Sequence, residues 1–250
     1  MTSPEAALLV LHDAATAVAA GLEGLEDWGH SGRRSDQYNS DVVADAAVLG
    51  VLGKAGFGAF SEESGVHHPE RPIRVVVDPV DGSTNASRRL PWWATSLCAL
   101  DAEGPLAALV VNQATGVRYS ATRGGGADQD GRPMSPTACT RLDSAIVGFS
   151  GYPRRYLGWS QYRSLGAAAL DICAVACGSL DAFIDCAAQS LAPWDYLAAV
   201  LICREAGAAV GEAEGRDLVV REGGERRTVV AAATPSLLES AIEARLRLSE

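Results

Sequence analysis

Only one of the 21 basic residues is a lysine, Lys54, and 31 acidic side chains outnumber the basic ones, which leaves a formal net charge of −10. A surplus of that sign repels polyanions and leaves no basic stripe to follow a phosphate backbone, so no nucleic-acid partner is expected. The same charge would repel an anionic substrate unless cations intervene, which directs attention to local metal sites. Also missing are a CxxC pair and any histidine at zinc-ligand spacing: Cys98, Cys139, Cys173, Cys177, Cys186 and Cys203 lie mostly in apolar runs and read as buried thiols. The start, MTSPEAALLV, has no basic opening and no cleavage-type end, so no signal peptide is expected. Gly, Asp or Arg interrupts every hydrophobic stretch, from which no membrane span and a cytoplasmic location are expected. No GxGxxG follows a strand, and the GGGA after Arg123 lacks GKS/T context, which sets aside a dinucleotide-binding enzyme.

What is present is ordinary globular material: 250 residues, 48% apolar and 21% charged, with no repeat, charge block or Ser/Pro linker. Helical spacing covers residues 4–25, with Ser3 as cap, and residues 42–54, stopped before Gly56. Strand patterns occupy 57–60, 73–77, 95–100, 106–111 and 117–121, separated by turn signals, and the last three read as antiparallel sheet. After residue 145 strand and helix alternate: a strand at 145–150, a helix from about 159 to 177, a strand at 181–185, helices at 193–206 and 235–248. The expected division is an α+β half, 1–143, and an α/β half, 144–250.

Residues 75–85, VVVDPVDGSTN, run from a β-branched strand into a tight turn and deliver Asp78 and Asp81 three positions apart. Pro79 stiffens the backbone between them, and Gly82 permits close approach or a positive φ. Two ionised carboxylates forced together raise each other's pKa unless hard cations such as Mg²⁺ compensate, so a dication site is the economical explanation. An Asp-Pro, Asp-Gly turn accounts for most such strings taken singly. Two further acidic segments shift the balance. Glu62 and Glu63 follow another strand-like run, and Asp195 opens the apolar helix WDYLAAVLICREAG. A solvated loop explains the first and a helix cap the second, but neither explains their joint occurrence.

In this order and with these separations, SEES at 61–64, VDPVDGSTN at 77–85 and PWDYLAAVLICREAGAAV at 193–210 resemble the inositol monophosphatase family of Mg²⁺-dependent phosphatases. GSLDAFID after GAAALDICAVAC is similar to the segment that precedes that family's last motif. The resemblance implies a layered sandwich of alternating helices and sheets, two or three Mg²⁺ ions, a homodimer and inhibition by lithium. It implies Glu62, Asp78, Asp81 and Asp195 as metal-binding carboxylates, with the Val80 carbonyl as a further ligand and Glu63 on a more weakly held ion. Gly82, Ser83 and Thr84 would hold the phosphate on backbone amides. Gly166, Ala167 and Ala168, with Asp195, would lie near the leaving group, and Asp185 or Gln189 would approach a hydroxyl. An acidic residue before the second helix orients the attacking water together with the Ser83 hydroxyl. Asp41 and Asp45 compete for that role, and Asp41 has the spacing to Glu62 nearer to the family's.

The implied reaction is hydrolysis of a small phosphate monoester, inositol monophosphate foremost, by direct attack of a metal-activated water, with Glu62, Asp41 and Ser83 as catalytic residues and no phosphoenzyme. Histidinol-phosphate, fructose-1,6-bisphosphate and 3′-phosphoadenosine 5′-phosphate are alternatives on the same machinery, and Arg88, Arg89, Arg154 and Arg155 keep a second phosphate open. From a different class, a catalytically silent metal-binding interaction protein is the rival. Trp92 or Trp93 is a candidate interface residue.

Overall fold

The computed structural model describes residues 2–187, 190–221 and 223–248. Five layers stack as helices, sheet, helices, sheet, helix. The outer pair, α1 (Pro4–Leu22) and α2 (Asn39–Lys54), covers one face of an eight-stranded sheet. That sheet runs β2 (Gly65–His67), β1 (Gly58–Ser61), β3 (Arg74–Asp81), β4 (Ala94–Asp101), β5 (Gly104–Asn112), β6 (Arg118–Thr122), β7 (Gly126–Gln129), β8 (Arg132–Pro133), all antiparallel except β1 with β3. Beyond a five-residue helix, α3 (Ser83–Ser87), and a 3-10 turn at Leu142–Ser144, the second sheet has the order β10 (Gln161–Arg163), β9 (Ile146–Ser150), β11 (Ala182–Asp185), β13 (Val229–Ala232), β12 (Ala209–Glu212). Helices α4 (Ala168–Ala176) and α5 (Pro193–Ala206) fill the space between the sheets, and α6 (Pro235–Leu246) covers the far face.

Alternation with period two explains how one strand serves two layers. Val75, Val77, Leu97, Ala99, Leu109 and Val111 pack with Leu11, Val18 and Val48 of the outer helices. Their neighbours Val76, Cys98, Ala108 and Val110 face the other way, onto Ile172, Leu197 and Val200 of α4 and α5. Because its middle layer contacts both sheets, α4 is apolar all round except for Asp171, and each of its nine residues is buried.

Two expectations need correction. The helix expected from residue 159 begins only at Ala168; residues 161–163 form the exposed edge strand β10, paired in parallel with β9. Residues 161–163 are all exposed, and Gly166, at φ 87°, breaks any helix through that stretch. Secondly, α1 is long and apolar enough to cross a membrane by length and composition. Its only charged residues after the first turn's Glu5 are His12's neighbour Asp13 and none beyond, so the expected interruptions are too sparse. In the folded chain Ala7, Leu11, Ala14, Ala15, Val18 and Leu22 are buried against α2 and the first sheet. All six cysteines are free thiols; Cys98, Cys173 and Cys203 are buried, the other three partly exposed.

Candidate active site

The site grows from the parallel pair β1 and β3, whose C-terminal ends lie at the same edge of the sheet. Register pairs Phe60 with Val76 and Ser61 with Val77, and the Glu62 N–H continues the ladder by donating to the Val77 carbonyl at 3.0 Å. Glu62 therefore emerges beside Asp78, on the face that Phe60 and Val76 turn towards α5. Asp81 should point the opposite way, because three residues is an odd step along a strand. A bulge cancels that step. The register with β4 shifts between Asp78↔Ser96 and Asp81↔Ala94, three positions on one strand against two on the other. Val80 then joins the outer-helix core, and Asp81 faces α4. The Thr95 hydroxyl holds the bulge by donating to the Pro79 carbonyl at 2.9 Å.

Asp195 arrives from the first turn of α5, where one oxygen accepts the Ala192 N–H at 2.6 Å. Half of its carboxylate is thus the cap that the sequence allowed. The remainder joins Glu62 and Asp78, and ligand oxygens of the three lie within 4.8 Å of one another. An edge-on contact of Phe60 with Trp194, centroids 5.2 Å apart, and the Ser96 hydroxyl on the Trp194 carbonyl at 3.0 Å dock α5 against the sheet at this point.

Burial, reinforced by mutual repulsion, pushes the Glu62, Asp78 and Asp195 carboxyls well above the usual range. The Asp78 carboxyl lies beside that of Glu62, and its Oδ1 accepts the Val80 N–H at 3.0 Å. Among the described residues no arginine or histidine forms an ion pair with any of the three. A hard cation would relieve the repulsion among these carboxylates, and the all-oxygen donor set suits Mg²⁺. Asp81 stands outside this trio. Its two oxygens accept the Ala168 and Ala169 N–H groups at 3.2 and 2.8 Å, which caps α4 from another segment; burial raises its pKa and those bonds lower it. The Val80 carbonyl accepts the Ser83 hydroxyl at 3.0 Å.

Gly82 adopts φ 85°, and a Cβ there would lie 3.0 Å from the Gly166 carbonyl oxygen and 3.2 Å from the Ala167 Cβ. Gly82, Ser83, Thr84, Gly166 and Ala167 are thereby gathered at one spot, where the first N–H groups of α3 have no intrahelical acceptors. Asn85 clasps the arrangement, donating to the Trp92 and Leu165 carbonyls at 2.7 and 2.8 Å. The Tyr38 hydroxyl approaches that of Thr84 at 3.2 Å.

Of the two competing aspartates, Asp41 has its carboxylate beside the Ser83 hydroxyl and accepts the Tyr38 N–H at 2.8 Å; burial lifts its pKa to about 6. Asp45 accepts the Ser61 hydroxyl at 2.5 Å instead. Glu63 turns away from the trio, paired with Arg34 at 2.5 Å and hydrogen-bonded by Gln37. Asp185 is fully buried, and its oxygens accept the Ser190 hydroxyl and the Ala187 N–H; Gln189 lies outside the described residues. Both tryptophans have partners within the chain. Trp93 is buried against Trp28, and Trp92 donates its indole N–H to Asp171 at 2.8 Å. Sequence reasoning passed over Asp171, although a lone acid in the run GAAALDICAVAC is itself a signal. Burial raises its pKa to about 7.

A family model for the inositol monophosphatase family matches residues 44–250. The chain belongs to the inositol monophosphatase family. It is 37% identical over 212 residues to an inositol-1-monophosphatase of Rhizobium meliloti, covering 78% of this chain and 75% of that one. It is 30% identical over 195 residues to the Nus factor SuhB of Salmonella typhimurium, covering 71% and 72%. A crystal structure of the extragenic suppressor protein suhB from Bartonella henselae superposes with a TM-score of 0.82 at 27% identity over 96% of this chain and 99% of that one. Family membership makes the protein a phosphoric monoester hydrolase and accounts for the layered helix and sheet architecture.

Proposed function

We propose that the protein hydrolyses a small phosphate monoester, inositol monophosphate foremost, in a reaction that depends on Mg²⁺. One observation carries this reading: three separated stretches of chain bring the oxygens of Glu62, Asp78 and Asp195 within 4.8 Å, with no ion pair to a basic side chain among the described residues. Glu62, Asp78 and the Val80 carbonyl on one side, and Asp78, Asp81 and Asp195 on the other, would hold two ions, with a third near Glu62. When bound, Mg²⁺ neutralises phosphate oxygens and makes water more acidic.

The chain's own groups do the rest. The N–H groups of Ser83 and Thr84, freed by the positive φ of Gly82, face an anion. Asp41 and the Ser83 hydroxyl orient the water for in-line attack, and the Asp41 carboxylate accepts a proton from it. A new P–O bond forms to that water as the ester P–O bond breaks, and the leaving alkoxide, on the side of Gly166, Ala167 and Asp195, takes a proton from solvent to depart as the alcohol. No side chain stands as the nucleophile in this arrangement, so no phosphoenzyme forms. The protein is proposed to act in the cytoplasm as a homodimer.

Phosphate release from a panel of inositol, histidinol, fructose and adenosine phosphates with Mg²⁺, with and without chelator, tests the reading. Chelator-sensitive release from the inositol ester supports it. Turnover of only another ester moves the substrate assignment, and no release from any ester leaves the silent metal-binding protein.

A further inference from the structure

Beside the carboxylates opens a cavity of about 210 Å³, lined among others by Asp81, Asp195, Ser150, Ser164, Gly166 and Asp171. Two of its three acids are already assigned to ion binding. Asp171 is left over, although it is 1% exposed in a helix that is otherwise apolar. Its Oδ1 accepts the Trp92 indole N–H. Its other oxygen receives no hydrogen bond from any described residue, and Asp171 lines the cavity. Joining Trp92 to α4 requires one acceptor atom, which an asparagine or glutamine would supply without burying a charge. The second oxygen is therefore in excess of the structural need.

The other acids near the cavity are engaged, and beside Asp171 its wall carries the Ser150 and Ser164 hydroxyls. Ala167 has no polar side-chain atom, Asp185 is occupied by Ser190 and Ala187, and both oxygens of Asp81 take α4 N–H groups. We propose that the second oxygen of Asp171 accepts a hydrogen bond from a hydroxyl of the departing alcohol, with Trp92 as the positioning residue, so that the enzyme selects hydroxyl-bearing leaving groups. This rests on the phosphatase reading above.

Glycerol 2-phosphate and isopropyl phosphate test it, because they differ only in the two hydroxyls flanking the ester carbon. In the unsubstituted protein with Mg²⁺, kcat/KM for the glycerol ester should exceed that for the isopropyl ester by about tenfold, the size of one charge-assisted hydrogen bond. In Asp171→Asn, which keeps an acceptor for Trp92 and replaces the second oxygen by an N–H donor, that ratio should fall towards unity while isopropyl phosphate turnover is retained. Calorimetric dissociation constants for the two esters with Ca²⁺ should diverge in the same way without turnover. Equal kcat/KM for both esters in the unsubstituted protein overturns the proposal, even without a variant. So does a ratio that Asp171→Asn leaves unchanged. Hydrolysis of neither ester with any divalent cation is a different result: it removes the phosphatase reading itself, and the proposal with it.

Discussion

Asp78→Asn removes a charge from the carboxylate trio while keeping its shape, and the structure assigns the change two effects of opposite sign. The amide oxygen still accepts the Val80 N–H, and the amide nitrogen stands beside Glu62, to which it can donate. What disappears is repulsion with Glu62 and Asp195 across at most 4.8 Å. At that distance each like-charge pair costs about 3 kcal/mol for an effective dielectric constant of about 20. Protons retained at neutral pH already relieve part of this, so a net gain of about 2–3 kcal/mol is expected for the metal-free variant at pH 8. In a chain of this size that raises Tm by about 4–12 °C. The sign with pH follows from the raised folded pKa. Below the unfolded value of 3.8 both states are protonated and the gain vanishes, and it grows as the pH climbs through the range in which only the unfolded carboxyl is ionised. With Mg²⁺ the order reverses, because the parent then gains a ligand that the variant binds poorly. Phosphate release should fall by about 10²–10³ or more. Thermal melts at pH 4 and pH 8, each in EDTA and in saturating Mg²⁺, read all of this. A metal-free variant less stable than the parent at pH 8 would refute the idea that these carboxylates are held together against their own repulsion.

Magnesium binding at pH 7 should release about one proton per chain or more, as the buried carboxyls ionise onto the ion. Calorimetry in two buffers of different ionisation enthalpy measures this, and saturable binding with no buffer dependence contradicts it. Trp92→Phe leaves the buried Asp171 without its donor and should cost about 1–3 kcal/mol, read as a lower Tm. Gly82→Ala must place a Cβ at φ 85° and 3.0 Å from the Gly166 carbonyl, so both stability and turnover should drop, the former by about 1–2 kcal/mol or more. Far from the site, burial pushes Glu212 up, but the Arg216 guanidinium and the Thr228, Arg216 and Glu214 N–H groups together pull it from 4.5 to about 2. That stability, about 2–3 kcal/mol, is complete above the unfolded value and lost as pH falls towards 2. Glu212→Gln should flatten the acid limb of the melting curve against pH, and an unchanged slope would count against the assignment.

The core strands were legible because two-residue alternation is local. Val75, Val76 and Val77 announce a strand buried on both faces, and the neighbouring runs at 95–100 and 106–111 behave alike. Asp78 and Asp81 were legible through their turn, and α5 through its proline and acidic first turn. The edge strands β2, β8 and β10 and the short β7 beside β8 were not, since short segments with few buried residues have little apolar pattern and owe their conformation to a neighbour. Glu63 shows the same limit at the site. Beside Glu62 it reads as half of a pair, and only the return of Arg34 and Gln37 from a distant loop turns it aside.

By itself, the order of residues determined which strands are buried, where acids leave them and which family those acids resemble, because each of these depends on neighbours a few positions apart. Only the tertiary structure decided that Glu62 and Asp78 meet an aspartate more than a hundred residues onward, that a bulge swings Asp81 onto α4, and that Asp171 lines the cavity with one oxygen unbonded by any described residue. These depend on strand register, on packing between layers and on which hydrogen-bond partners remain once the chain has closed, and no local pattern encodes such competition.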